Sequence, residues 1–255
     1  MAKPWRFESS IVPVAHEFYS STTSPLLQPT PITLSIILRC FIRSLLARDL
    51  VSYYDFFAKH LQQLHAQRIP PPFDPRLPSL IHDTFIMSML DHSFLARPAL
   101  RVFGDMLREN ATTSTTTSTT DTTTDTTTDT TATTTTPHHN VPVHPAPTMF
   151  TYNIVLRGLF RRRDGHALAE SIIGLMRLHG IQADRKTWNI LIRGYANKQD
   201  IPSVVAALQE MEAAGFPPDR FTYRGFGRLR DQERALAMME EALGNHEHSA
   251  PNHVA

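Results

Sequence analysis

Residues 150–159 read FTYNIVLRGL, and residues 186–195 read KTWNILIRGY. The shared pattern is Thr, an aromatic residue, Asn, three aliphatic residues, Arg, Gly, then an apolar or aromatic residue, and Asn153 and Asn189 stand 36 positions apart. A third, damaged copy begins at FTYRGFGRL (221–229). Self-similarity at a fixed period of this size restricts the fold to stacked repeats more than any feature of composition does. Each copy is followed by a second apolar stretch at helical spacing: Leu168, Ile172, Leu175 and Met176 in 165–178, and Val204, Val205, Leu208 and Met211 in 201–214. Arg185–Asp219 therefore reads as a helix, a turn at Lys198–Asp200, a second helix and a Gly-Phe-Pro-Pro-Asp exit. Residues 149–184 repeat that layout with a turn at Arg163–Gly165 and the exit HGIQAD. A helix pair of this length cannot bury both of its faces alone, but stacking on a copy of itself can, so the period predicts a solenoid.

Helical spacing also fits 33–46, 49–66, 80–93, 96–109, 150–162, 186–197, 220–229 and 231–243, and no segment alternates as a strand. The predicted fold is all-α, a right-handed α-solenoid of helix-turn-helix repeats. Hydrophobic residues make up 41 % of the chain, enough for a core, and the net charge of +1 names no partner by itself. Cys40 is the single cysteine, so neither an internal disulfide nor a cysteine zinc site can form, and a reducing compartment is the natural reading. The longest apolar run, around Leu34–Leu38, is too short to span a bilayer. The start MAKPWRFESSIVPVAHEF carries Glu8 and Glu17 beside Lys3 and Arg6 and reads as untargeted or truncated.

Residues 112–136 contain 19 threonines with no alternating apolar partners, and prolines 137, 142, 145 and 147 follow. This composition cannot bury a face, so 111–147 reads as a disordered insert. Proline clusters at 24–31 and 70–78 mark two further loops. The expected organisation is a poorly ordered segment 1–32, degenerate helical repeats over 33–110, the insert 111–147, well-formed repeats over 148–243, and a tail 244–255.

A unit of about 35 residues that opens Thr-Tyr-Asn or Thr-Trp-Asn and closes Gly-x-x-Pro-Asp resembles a pentatricopeptide repeat. The resemblance is strong over 149–219 and fair over 220–243, where the first helix is about a turn short. It is also fair over 80–110, where ALRVFGDMLREN is similar to a second helix, and weakest over 33–60. It places the Thr-rich tract as a loop expansion between stacked repeats. It further implies single-stranded RNA binding at one nucleotide per repeat, a recognition mode open to helical repeats.

By the same resemblance, base-reading falls to Asn153 with Asp184 and to Asn189 with Asp219, a pairing associated with uridine. A carboxamide both donates and accepts, as reading a Watson–Crick edge requires. Base-packing falls to Phe150, Lys186 and Phe221; Lys186 departs from the usual aliphatic residue, and Arg224 stands where the last unit would carry Asn. The alternative for the asparagines is that they only satisfy free N–H groups of a first helical turn. Tyr152, Trp188 and Tyr223 read as helix-packing residues.

Charge points the same way without the resemblance. The first helices 150–163, 185–198 and 220–230 each carry four Lys or Arg and no acid, whereas 200–214 carries Asp200, Glu210 and Glu212 and no base. A basic stripe including Arg157, Arg161, Arg193 and Arg228 suits a phosphate backbone; the alternative is a solvated face. His138, His139 and His144 in the insert and His246, His248 and His253 in the tail lack zinc-site spacing. No HExxH, GxSxG or phosphate-loop pattern occurs, so the chain reads as a non-enzymatic protein without cofactor or metal.

The expected partner is single-stranded RNA rather than DNA or membrane; since two nucleotides cannot specify a transcript, either the degenerate repeats also contribute, a protein partner supplies specificity, or the chain is a fragment of a longer array. Stacking at roughly 1–3 kcal/mol per base gives two reading units about 2–6 kcal/mol before ordering costs. About 4 kcal/mol corresponds only to roughly millimolar affinity. Resemblance implies a mitochondrial role in RNA processing, stability or translation; the rival is a protein-binding helical-repeat scaffold without RNA specificity.

Overall fold

The computed structural model describes residues 30–115 and 143–248, and every regular element among them is helical. In chain order these are α1 (Pro31–Ser44), α2 (Leu50–Ala66), α3 (Leu80–Leu90), a one-turn 3-10 helix (Ser93–Leu95), α4 (Ala96–Thr115), α5 (Met149–Phe160), α6 (His166–Leu178), α7 (Arg185–Lys198), α8 (Ile201–Ala213), α9 (Arg220–Phe226) and α10 (Gln232–His248). The odd-numbered helices stack in one row: α1 on α3, α3 on α5, α5 on α7 and α7 on α9. Helices α2, α4, α6 and α8 return beside the row and α10 packs on α8, and the expected all-α solenoid of helical hairpins is the observed fold. No helix among the described residues is long and apolar enough to cross a membrane.

Local chemistry sets the period. The second helices α6 and α8 each end at a glycine in the left-handed region, Gly180 at φ 67° and Gly215 at φ 81°. There the next residue's N–H bonds back to the last turn, Ile181 to the Met176 carbonyl and Phe216 to the Met211 carbonyl, each at 3.0 Å. This closure satisfies otherwise orphaned carbonyls and turns the chain toward the next unit. Asp200 starts α8 by accepting from the Ser203 N–H at 3.3 Å, with Pro202 in the first turn. Neighbouring turns are also tied together. Lys198 Nζ donates to the carbonyls of Arg162 and Arg163 at 2.7 and 2.8 Å, and Gln199 Nε2 donates to the Arg228 carbonyl at 3.0 Å.

Glycine sets the row spacing. A Cβ on Gly158 would lie 2.6 Å from Leu90 Cδ1, and one on Gly194 would lie 2.4 Å from Phe160 Cγ. One core runs through the whole stack, from Ile42, Tyr54 and Phe85 to Tyr152, Leu156, Ile192, Val204 and Met211. Because α3 packs directly on α5, the chain on either side of the Thr-rich tract belongs to one stack.

The tract's centre, 116–142, lies outside the described residues, as do 1–29 and 249–255. Its edges differ from expectation. Helix α4 continues to Thr115, with no Pro or Gly between Gly104 and Thr115 to interrupt the ladder. Residues 143–147 are placed, with His144 buried at 5 % exposure and its Nδ1 3.0 Å from His82 Nε2. His144 is thus a packing residue of α3 and not a solvated loop histidine. At the other end α10 extends to His248, past the expected start of the tail at 244.

Candidate nucleic-acid interface

The first helices of the well-formed repeats all begin the same way. Thr148 Oγ1 accepts from the Thr151 N–H at 3.3 Å, and Thr151 Oγ1 accepts from the Thr148 N–H at 3.0 Å. Asp184 Oδ1 and Thr187 form the same reciprocal box at 2.7 and 3.3 Å, and Asp219 Oδ1 and Thr222 form it at 3.0 Å in both directions. These boxes satisfy the orphan donors of a helix start. Asn153 and Asn189 are therefore not the capping groups of their own helices.

Each asparagine instead reaches across to the cap of the next unit. Asn153 Nδ2 donates to Asp184 Oδ1 at 3.4 Å, and its Oδ1 lies 2.9 Å from the Thr187 hydroxyl. Asn189 Nδ2 donates to Asp219 Oδ1 at 3.3 Å, and its Oδ1 lies 2.8 Å from the Thr222 hydroxyl. The two residue pairs singled out in the sequence are brought together twice, one repeat apart, in nearly identical geometry. Thr187 and Thr222, which bridge each pair, were not singled out as site residues. Their signal was the Thr of the repeated Thr-aromatic-Asn triplet.

Both caps are held ionised. Burial raises the Asp184 pKa, but the Thr187 N–H and hydroxyl, the Asn153 amide and the Lys186 charge outweigh it and leave the carboxyl below its ordinary range. For Asp219 the Thr222 N–H dominates and, with Phe221, the Thr222 hydroxyl and Asn189, overcomes burial to lower the pKa as well. Asn153 is 5 % exposed, while Asn189 is half-buried.

The three base-packing positions face solvent. Phe150 is 51 % exposed, Phe221 is 50 % exposed with the Arg220 guanidinium 4.7 Å over its ring, and Lys186 is exposed. Tyr152 and Trp188 pack inside, as their reading as packing residues required. Tyr223 does not: it is 67 % exposed.

The arginines converge. Arg157, Arg161, Arg193 and Arg228 are exposed on the first-helix row. The Arg193 pKa is lowered, first by partial desolvation and then by the like charges of Arg228, Arg224, Arg157 and Arg161. Five guanidiniums from α5, its C-cap and the α7–α9 region therefore share one field, and Arg224 joins the stripe beyond the four residues expected. Two of them carry partners: Arg161 pairs with Asp91 at 3.1 Å and Arg228 donates to Asn197 Oδ1 at 3.0 Å. A shared positive field over a line of exposed side chains suits a polyanion. No group of three His, Cys, Asp or Glu able to hold a metal occurs among the described residues. An apolar cleft of about 570 Å3, lined by Ile173, Met176, Ile181, Trp188, Leu191 and Phe216, lies among α6, α7 and α8 with the Arg177–Glu210 pair at its edge.

Residues 147–197 and 183–226 match the PPR repeat family. No curated protein matches the sequence. Among solved structures, the pentatricopeptide repeat protein PPR10 in complex with an 18-nt psaJ RNA element is similar at 19 % identity and a TM-score of 0.48, over 82 % of this chain and 24 % of that one. PPR10 from maize is similar at 17 % identity and a TM-score of 0.45, over 92 % of this chain and 32 % of that one. The chain thus spans 24 % to 32 % of the length of these two structures.

Proposed function

We propose that this chain, which belongs to the pentatricopeptide-repeat family through its units over 147–226, binds single-stranded RNA along the row formed by α5, α7 and α9. The observation that carries this reading is the twice-built Asn–Asp–Thr constellation lying in the field of five arginines. Asn153 with Asp184 and Asn189 with Asp219 each read one base, with a preference for uridine. Each amide has a second N–H to give, and each side chain sits where successive nucleotides of an extended strand would pass. Phe150 and Phe221 offer exposed ring faces for stacking, and Lys186 contributes charge at the middle position. The arginines hold the phosphates and supply affinity without sequence choice. No step of chemistry is assigned to the chain, whose role is to bind.

The test is fluorescence anisotropy with oligo-U, oligo-A and duplex RNA at two salt concentrations. Preference for oligo-U that disappears in the Asn153→Ala/Asn189→Ala double variant supports base reading. Equal and steeply salt-dependent binding to all three would reduce the site to electrostatics. A mitochondrial role in RNA processing, stability or translation is the cellular setting we propose; co-fractionation of the protein and its bound transcripts with mitochondria tests it. The second reading, a protein-binding scaffold, has the Trp188-lined cleft in its favour, because the buried Trp188 Nε1 has no hydrogen-bond partner there. It expects no RNA binding at either salt.

A further inference from the structure

The first helix of the stack carries an upstream face of the kind that is covered elsewhere in the row. Residues 33–44, TLSIILRCFIRS, stand in register with 151–162, TYNIVLRGLFRR. The helix starts agree: the Thr33 N–H donates to Thr30 Oγ1 at 3.2 Å, as the Thr151 N–H does to Thr148 Oγ1 at 3.3 Å. In α5 the stripe Thr151, Ile154, Val155 and Gly158 faces α3, where Leu90 closes over Gly158. That stripe is buried, with Ile154 at 5 % and Val155 at 0 % exposure. The same register positions in α1 are Thr33, Ile36, Ile37 and Cys40, and all four are exposed, Ile36 at 53 % and Ile37 at 57 %. Stacked repeats end on polar outer faces when nothing follows. Helix α1 presents two isoleucines instead.

A second copy is a poor cover. Docked head to tail, it would bring the exposed Arg220, Arg224 and Arg228 of the α9 end against Arg39 and Arg43 of α1, setting like charges together with no apolar match. Docked α1 to α1, it would use one helix of 14 residues, about 21 Å long, whereas a stable interface takes about 20–30 residues a side. The 29 residues ahead of α1 fit better. Ile11, Val14, Ala15 and Phe18 recur there at helical spacing, with Val12 and Tyr19 beside them. Ser10 stands where a cap belongs, and Pro13 falls in the first turn, where its missing N–H is tolerated. Glu17 borders the apolar stripe and complements the exposed Arg43. Residues 22–29 lead straight into the Thr30 cap of α1, and eight residues reach up to about 26 Å, enough to fold back along the helix. Such a tether makes docking intramolecular, at an effective concentration on the order of millimolar.

We propose that residues 11–19 of this same chain form an amphipathic helix that docks on Ile36, Ile37 and Cys40 of α1 and closes the upstream end of the stack. The apolar stripe of the segment meets the apolar stripe of α1, and Glu17 meets Arg43. The docked segment takes, for α1, the place that α3 takes for α5. This reading is independent of RNA binding, and its test contains no RNA.

Cys40 is the single cysteine and lies on the face in question, so its thiol reports the cover. The full chain is labelled with iodoacetamide at one pH, in buffer and in urea. Labelling in buffer is expected to be on the order of tenfold slower, as for a group reached only by local opening. Phe18→Asp and Val14→Asp, both on the stripe, are each expected to restore most of the urea rate. Ser20→Asp, on the opposite side of the segment, is expected to leave the protection in place. A cooperative thermal melt by circular dichroism shows that the stack of each variant is folded. Labelling of the native chain at the urea rate, or protection that survives both Phe18→Asp and Val14→Asp, overturns the proposal. Protection that strengthens with protein concentration, together with a dimer by light scattering, overturns it too, because a second copy then covers α1.

Discussion

Two glycine-to-alanine substitutions in helix interiors should have opposite signs. In the middle of an exposed helix, alanine is favoured over glycine by about 1 kcal/mol. Gly174, inside α6, has no heavy atom within 4 Å of where its Cβ would be, so Gly174→Ala should deliver that gain. Gly194, inside α7, would place its Cβ at 2.4, 2.5 and 2.8 Å from three ring carbons of Phe160. Carbon atoms rest at about 3.5–4.0 Å, so ring or helix must retreat by roughly 1 Å. Phe160 has little room to do so. It is 5 % exposed and packs edge-on against Tyr195 and His166, with ring centroids 5.3 and 6.0 Å away.

Overpacking of this kind costs about 1–3 kcal/mol. Set against the propensity gain, Gly194→Ala should destabilise by about 1 kcal/mol net, and the two variants should differ by about 2 kcal/mol. Urea unfolding followed by far-UV circular dichroism measures both. The comparison is made between variants because stacked repeats need not unfold in one step. If Gly194→Ala raises the midpoint as far as Gly174→Ala does, the close contact between first helices is not what sets the period, and the spacing of Asn153 from Thr187 loses its structural basis.

Asp184→Ala removes the acceptor that starts α7 and should cost about 1 kcal/mol, read in the same unfolding assay. Because the folded-state pKa of Asp184 is depressed, its contribution is present at neutral pH and lost as pH falls below about 4. His82 is fully buried, and desolvation, then His144, lowers its pKa from 6.5 to about 3. Unfolded chain therefore binds this proton throughout the window between those values while folded chain does not. Stability should fall by about 2 kcal/mol between pH 7 and 5, and His82→Leu should flatten that dependence in pH-dependent thermal melts. Arg193→Gln should weaken oligo-U and oligo-A binding alike and lower the slope of log K against log salt by about 0.7, the amount for one phosphate contact on a single strand. A loss confined to oligo-U would contradict its role as a phosphate contact.

The helix pairs were legible because their determinants are local. The apolar period, Gly180 and Gly215 at the exits, and the Asp or Thr before each first helix all act within one turn of chain. The Asn–Asp pairs were also legible, but only as a repeated spacing, since each asparagine bonds to the unit after its own. What stayed hidden depended on contacts between segments far apart in sequence. His144 looked like one more polar residue of the insert because its partner is His82, on the other side of the threonines. Arg224 looked like a lost reading residue, yet its charge bears on Arg193 and completes the basic field. Tyr223 carried the same aromatic signal as Tyr152 and Trp188 but is exposed, whereas Tyr152 is buried against Phe103 of α4 and bonded to His179 at the end of α6.

In the RNA-binding mode we propose, recognition and stacking would share one set of atoms. Asp184 Oδ1 accepts the Thr187 N–H that starts α7 and also accepts from the Asn153 amide, so it is both the cap of one unit and the neighbour of the other's asparagine. Asp219 holds the same double position between α7 and α9. The cap fixes where the asparagine lies, and a carboxamide fixed by two partners would meet a base, as proposed, without first losing rotamer freedom, which is how preorganisation improves binding.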